Sequence, residues 1–87
     1  MNNVLVVDSD QNMLQILSGI LKGQGGLLNV LTAQSTRQAT KILKTNRIAL
    51  VITTIRLPKL DGFRLATKLT REHPSTKLII LTNTGHP

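Results

Sequence analysis

The 87-residue chain contains no cysteine and a single aromatic residue, Phe63. Without cysteine, neither a disulfide framework nor a thiolate metal site can supplement the core, which fits a cytoplasmic protein. With one aromatic residue, the chain has no platform on which nucleic-acid bases could stack. No apolar run approaches the roughly 20 residues of a transmembrane helix, and the first residues lack the charged head of a signal peptide. We therefore expect a cytoplasmic protein without a membrane partner.

Acidic residues are also scarce, because four Asp and Glu stand against eleven Lys and Arg, for a formal net charge of +7. Such an excess favours anionic partners, of which nucleic acid is the commonest. The basic residues look spread along the chain, and two rows share faces of predicted helices: Arg37, Lys41 and Lys44, and Arg64, Lys68 and Arg71. Solvated helix faces usually carry such rows. Nucleic-acid binding through these basic helix faces is therefore kept as an alternative.

Two kinds of segment alternate along the chain. Short continuous apolar runs, typical of strands buried on both faces, occur at 4–7, 48–52 and 78–81, with a weaker fourth candidate at 28–32. Between them lie segments with helical spacing, near 13–21, 39–43 and 62–72. This alternation predicts a single α/β domain over residues 1–87, with a parallel sheet and helices on both of its faces.

Polar residues collect where the predicted strands end, and open parallel sheets carry their chemistry at that edge. These residues are Asp8, Ser9 and Asp10 after the first strand, Thr54, Pro58, Asp61 and Gly62 after the third, and Thr82 after the fourth. A lone proline or Asp-Gly pair would indicate only a turn. Three such groups in this order are more specific, because each follows a buried strand.

The order and spacing of these groups resemble the receiver domain of response regulators in bacterial two-component signalling. The resemblance covers the whole chain and implies a flavodoxin-like fold with strand order 2-1-3-4-5. A chain of this length has room for the order 2-1-3-4, so we expect the fifth strand and the last two helices to be missing. The domain would then be incomplete at its C-terminus, as a fragment of a longer protein or, alternatively, as one of two copies that complete each other.

The resemblance also implies a phosphorylation site from which this chain departs. The family has its phosphorylated aspartate where this chain has Thr54, which cannot form an acyl phosphate. The family's acidic pair is broken, because Ser9 follows Asp8. Asp8 and Asp10 are the remaining metal-ligand candidates, so Mg²⁺ binding is expected to be weak and no cofactor to be required. Thr82 matches the residue that contacts the phosphoryl group and takes part in the switch.

Each of these residues also has a structural interpretation. Asp8 can accept hydrogen bonds from backbone N–H groups, and Asp10 can cap the following helix. Thr82 can satisfy nearby backbone groups. Pro58, Asp61 and Gly62 form a turn and the start of a helix, which is a structural role in the family as well.

These considerations predict a degenerate receiver domain that acts as a phosphorylation-independent signalling and interaction module in phosphorelay-type regulation. Its partner would be a protein: a kinase, an effector domain or a second copy of the chain. The strand ends carry no nucleophile–base pair and no metal triad, so we do not expect an enzyme. Two alternatives remain, a working phospho-receiver with a displaced acceptor and a basic nucleic-acid-binding regulatory protein.

Overall fold

The computed structural model describes residues 2–23, 26–54 and 59–81, and for 59–63 it describes the backbone. Strands and helices alternate along these residues: β1 (Asn2–Val7), α1 (Gln11–Lys22), β2 (Leu28–Ala33), α2 (Thr36–Thr45), β3 (Leu50–Thr54), α3 (Lys59–Glu72) and β4 (Lys77–Leu81). The predicted alternation is confirmed. Strand β3 lies two residues later than the apolar run at 48–52. Helix α3 begins earlier than its apolar spacing predicts, so Asp61 and Gly62 lie in its first turn.

The strands form one parallel sheet with the order β2-β1-β3-β4, which confirms the predicted order. The central strand β1 pairs with β2 on one side and with β3 on the other, and β3 then pairs with β4. Parallel neighbours need crossover connections, and each of the three helices provides one. This arrangement brings the carboxyl ends of the strands to the same edge of the sheet.

Successive side chains of β1 point to opposite faces of the sheet and enter two separate core clusters. Val4 and Val6 pack with Leu14 of α1 on one face. Leu5 and Val7 pack on the other face under α2 and α3. Each fully buried aliphatic side chain contributes about 1.5–3 kcal/mol relative to the exposed state. Burial on both faces explains why β1 is continuously apolar rather than alternating.

Side chains at the helix N-termini explain where α1 and α2 begin. Asp10 precedes α1, and its Oδ1 accepts a hydrogen bond from the Asn12 backbone N–H at 2.9 Å. Ser35 precedes α2 in the same way, and its Oγ accepts from the Gln38 N–H at 3.1 Å. A side-chain oxygen at this position satisfies a backbone donor that has no partner within the helix.

Strand β4 is exposed on both faces, in contrast to β1 and β3. Ile79, Ile80 and Leu81 are 45%, 51% and 40% exposed. Helix α1 packs over β1 and β2, away from this strand. On the described part of the chain, β4 is therefore an apolar edge strand, as the predicted strand order requires.

Candidate functional site at the carboxyl edge of the sheet

The strand register brings the ends of β1 and β3 together at the carboxyl edge. Val7 is aligned with Thr53 in the β1–β3 pair, and Thr54 is aligned with Leu81 in the β3–β4 pair. Asp8 is the next residue after Val7, so it lies beside Thr54. The structure thus places Asp8 and Thr54 as neighbours, although 46 positions separate them in the sequence.

Asp8 is fully buried and is held by the backbone around it. Its own N–H donates to the carbonyl oxygen of Ala33 at 3.0 Å, which extends the pairing of β1 with β2. Its Oδ1 accepts the N–H of Asp10 at 3.1 Å. The carboxylate therefore fixes the turn that leads from β1 into α1, as the structural interpretation predicts.

Thr54 and Thr53 are both buried at the end of β3, with 7% and 3% of their surface exposed. Because successive residues of a strand alternate, their side chains point to opposite faces of the sheet. Within the described residues, the Thr53 Oγ1 is buried and has no hydrogen-bond partner. Sequence reasoning missed this feature, since nothing in the sequence indicates which hydroxyl group lacks a partner.

The described side chains at this edge do not provide the oxygen ligands of a tight Mg²⁺ site. Asp8 supplies a carboxylate, whereas Thr54 supplies a neutral hydroxyl group, and Asp10 is engaged in capping α1. Among residues 2–23, 26–54 and 59–81, no three His, Asp or Glu side chains come together as a metal site would require. Mg²⁺ is typically held by one or two carboxylates together with phosphate oxygens and water.

Activation of a threonine hydroxyl would need a nearby base. The one histidine in the described part of the chain, His73, follows α3 and precedes β4, so it lies at the opposite edge of the sheet.

The remaining predicted site residues, Pro58 and Thr82, lie outside the described residues. For Asp61 and Gly62 the structure describes the backbone, which is helical.

Comparison with known proteins identifies the fold and its family. The family model for the response regulator receiver domain matches residues 4–87. The chain belongs to this family. It superimposes on the receiver protein TrrA from Thermotoga maritima in complex with Mg²⁺–BeF with a TM-score of 0.85 at 29% identity, covering 99% of this chain and 73% of that one. The MaeR response regulator bound to beryllium trifluoride is similar, with a TM-score of 0.83 at 26% identity, covering 99% and 70%.

Two curated relatives are transcriptional regulatory proteins. GlrR of Escherichia coli strain K12 is 31% identical over 83 residues, which are 95% of this chain and 18% of GlrR. SrrA of Staphylococcus aureus strain NCTC 8325 is 31% identical over 84 residues, which are 97% of this chain and 34% of SrrA. The chain therefore spans about a third of SrrA and less than a fifth of GlrR. The match identifies a receiver domain and leaves the rest of each relative without a counterpart here.

No helix in the described segments of this receiver has the length and apolar character needed to span a membrane. The relative placement of the basic residues of α2 and α3 is a second feature that the sequence does not show directly. Each basic row is visible in the sequence, but whether the two rows lie on the same face of the sheet depends on the order of the strands. Both helices contribute to the same core cluster and so lie on the same face of the sheet.

Proposed function

We propose that this receiver domain is degenerate and regulates its partners without phosphorylation of an aspartate. The observation that carries the proposal is the threonine at position 54, buried at the end of β3 beside Asp8. A phosphorylated aspartate works because its carboxylate attacks phosphorus and forms an acyl phosphate. A threonine hydroxyl at that place has no negative charge, and its nearest described ionisable neighbour is engaged in a backbone turn.

The proposed mode of action is protein binding. TrrA, which is 29% identical to this chain, has been solved in complex with the histidine kinase ThkA, and this supports a kinase-type partner. GlrR and SrrA are transcriptional regulators that extend far beyond the matched segment, and this supports an effector domain as a second kind of partner. Helix α1 presents Ile16 and Ile20 to solvent, so it offers an apolar contact surface for either.

No cofactor is required for this mode of action. Phosphoryl transfer depends on Mg²⁺ because the metal neutralises charge on the transferred group. A receiver that transfers no phosphoryl group has no such charge to neutralise. We therefore propose that Mg²⁺ binds weakly through Asp8 and that Asp10 serves α1 rather than the metal.

The direct test is the intact mass of the chain after treatment with acetyl phosphate and Mg²⁺. We expect no stoichiometric adduct that hydroxylamine removes, because acyl phosphates are labile to hydroxylamine and Thr54 cannot form one. The matched positive control is the double variant Ser9→Asp with Thr54→Asp, which restores both the acceptor and the second acidic ligand of the family. A hydroxylamine-labile adduct on the wild-type chain would overturn the proposal.

A working receiver with a displaced acceptor is the second candidate, and the position of Asp8 beside Thr54 favours it. Asp8 is the described carboxylate nearest to the family's acceptor position, but it is fully buried and its Oδ1 accepts the Asp10 N–H. If Asp8 accepts phosphate, an adduct forms on the wild-type chain and disappears in Asp8→Asn. If the adduct persists in Asp8→Asn, another residue is the acceptor.

A further inference from the structure

Helices α2 and α3 lie on the same face of the sheet, and each carries a row of basic side chains. Residues from both helices, including Leu43 and Leu65, fill one core cluster beneath them, and the two helices contact each other. The rows have the same spacing of four and then three residues: Arg37, Lys41 and Lys44 on α2, and Arg64, Lys68 and Arg71 on α3. We call these six residues the basic face. The strand order therefore brings both rows to one side of the sheet.

The packing of each helix shows where its row points. On α2, Ala39 is buried in the core, and Lys41 lies about 200° further around the helix, so it points to solvent. On α3, Ala66 and Thr70 line a groove on the side of β4. That groove, of about 250 Å³, is completed by Leu69, Pro74, Thr76 and Leu78. Lys68 lies about 200° from Ala66, on the flank of α3 that is turned toward α2.

The charge of the basic face is largely uncompensated. Glu72 is the sole carboxylate among the described side chains of α2 and α3, and its Oε2 accepts a hydrogen bond from the Lys68 Nζ at 2.9 Å. This hydrogen bond and the charge of Lys68 lower the pKa of Glu72, with smaller contributions from His73 and Lys44.

The like charges within each row oppose helix formation. Arg37 and Lys41 are four residues apart on α2, and Arg64 and Lys68 are four apart on α3. Like charges at this spacing destabilise a helix by a small amount per pair, and an anionic partner would remove that repulsion. Five of the six cations on the basic face have exposed side chains, and Lys68 is half-buried against Glu72.

We propose that the basic face binds the phosphate backbone of double-stranded DNA. Each row spans about 10 Å along its helix. The same length of B-DNA axis carries about six phosphate charges. The chain has one aromatic residue, Phe63, so a stacking platform for single-stranded bases is not available, which favours an intact duplex. This binding does not depend on position 54 and so goes beyond the proposed function.

Fluorescence anisotropy of a labelled duplex of about 20 base pairs, measured across a salt series with the wild-type chain, tests the proposal. Contact with about five phosphates predicts a slope of about −4.5 for log K against log salt, or a loss of affinity of about 500-fold between about 50 and 200 mM. The absence of binding at the lowest salt would overturn the proposal. So would a slope close to zero.

Two double variants with the same change in net charge locate the surface. Lys41→Gln with Lys44→Gln removes two cations from the basic face, and should make the slope shallower by about 2. Lys22→Gln with Lys77→Gln removes two cations from α1 and β4, and should leave the slope near the wild-type value. Circular dichroism verifies that both variants are folded. An equal reduction of the salt slope in the two double variants would overturn the assignment of DNA binding to the basic face.

An anionic membrane is the competing partner for such a surface. Sedimentation with vesicles containing phosphatidylserine distinguishes the two. Strong vesicle binding that depends on Lys41 and Lys44, together with no DNA binding, would overturn the proposal in favour of a membrane. DNA binding in the wild-type chain that is weakened in Lys41→Gln with Lys44→Gln supports it, whether or not an adduct forms at the carboxyl edge of the sheet.

Discussion

Two threonines, Thr53 in β3 and Thr76 just before β4, differ in what their hydroxyl groups contact. The Thr53 Oγ1 is buried without a hydrogen-bond partner in the described residues. Thr76 provides a contrast, because its Oγ1 donates to the carbonyl oxygen of Ile48 at 2.7 Å and so ties the start of β4 to the chain before β3. A buried hydroxyl group without a partner costs about 1–3 kcal/mol, whereas a satisfied one stabilises the fold.

Substitution of these threonines by valine should therefore have opposite effects on stability. Thr53→Val keeps the shape of the side chain and removes the unsatisfied hydroxyl group, so it should raise the free energy of unfolding by about 1 kcal/mol. Thr76→Val removes a donor and leaves the Ile48 carbonyl without it, so it should lower that free energy by about 1 kcal/mol. Urea denaturation measures both. A destabilised Thr53→Val would mean that the hydroxyl group is in use.

The identity of the site residues could be predicted from the sequence better than their surroundings could. Asp8 and Thr54 follow buried apolar runs, and parallel strands end at one edge, so their proximity follows from the pattern. The missing partner of Thr53 could not be predicted. It depends on which side chains of α2 and α3 fill the space above β3, and no local sequence rule specifies that.

At the scale of the elements, α1 is fixed at its N-terminus by the side chain that the family resemblance also suggests as a metal ligand. The Asp10 Oδ1 accepts the Asn12 N–H, which is the geometry of a helix cap. Asparagine caps a helix about as well as aspartate, whereas alanine does not. Asparagine is a neutral and weaker ligand for Mg²⁺ than a carboxylate. The two roles of Asp10 can therefore be separated by substitution.

We expect Asp10→Ala to lower the free energy of unfolding by about 1 kcal/mol and Asp10→Asn to leave it nearly unchanged. Thermal unfolding of both variants, with and without Mg²⁺, measures these effects. If Asp10 is a metal ligand, the wild-type chain is stabilised by Mg²⁺ and Asp10→Asn loses that increment. If Asp10 acts only as a helix cap, Mg²⁺ changes the unfolding temperature of the wild type and of Asp10→Asn by the same amount.

The spacing of apolar residues predicts which helices and strands exist, but it does not specify where each one begins and ends. Continuous apolar runs predicted β1 and β3 because both faces of the sheet are covered. Helix α3 begins at Lys59, three residues before the predicted start at 62, because apolar spacing does not specify the residue at which a helix starts. Strand β4 has an equally apolar sequence and is nevertheless exposed, because burial depends on what lies next to it.

At the scale of the whole molecule, the apolar strand β4 is the feature most open to association. Its outer edge and its residues Ile79 and Ile80 are accessible in the described structure. Exposed apolar edge strands pair readily with other chains. The net charge of +7 opposes close approach of two copies, so association should be stronger at high salt.

Light scattering on a sizing column should show an apparent mass that rises with protein concentration and with salt. Ile79→Ser with Ile80→Ser should reduce this rise, because the substitutions remove the apolar surface of the edge. Leu27→Ser is the matched control, since Leu27 is 74% exposed and lies before β2, away from β4. A monomeric mass at all concentrations would contradict the prediction, as would an equal effect of the control.

The threonine at the end of β3 also has a consequence for timing. The lifetime of an acyl phosphate limits the duration of the signal, because its hydrolysis returns a receiver to the resting state without any change in the amount of protein. If this receiver is degenerate, as we propose, it carries no such bond and has no internal reset. The duration of its signal would equal the lifetime of its complexes and, beyond that, of the polypeptide itself. Transcription and proteolysis, rather than a kinase and a phosphatase, would then determine when the signal begins and ends.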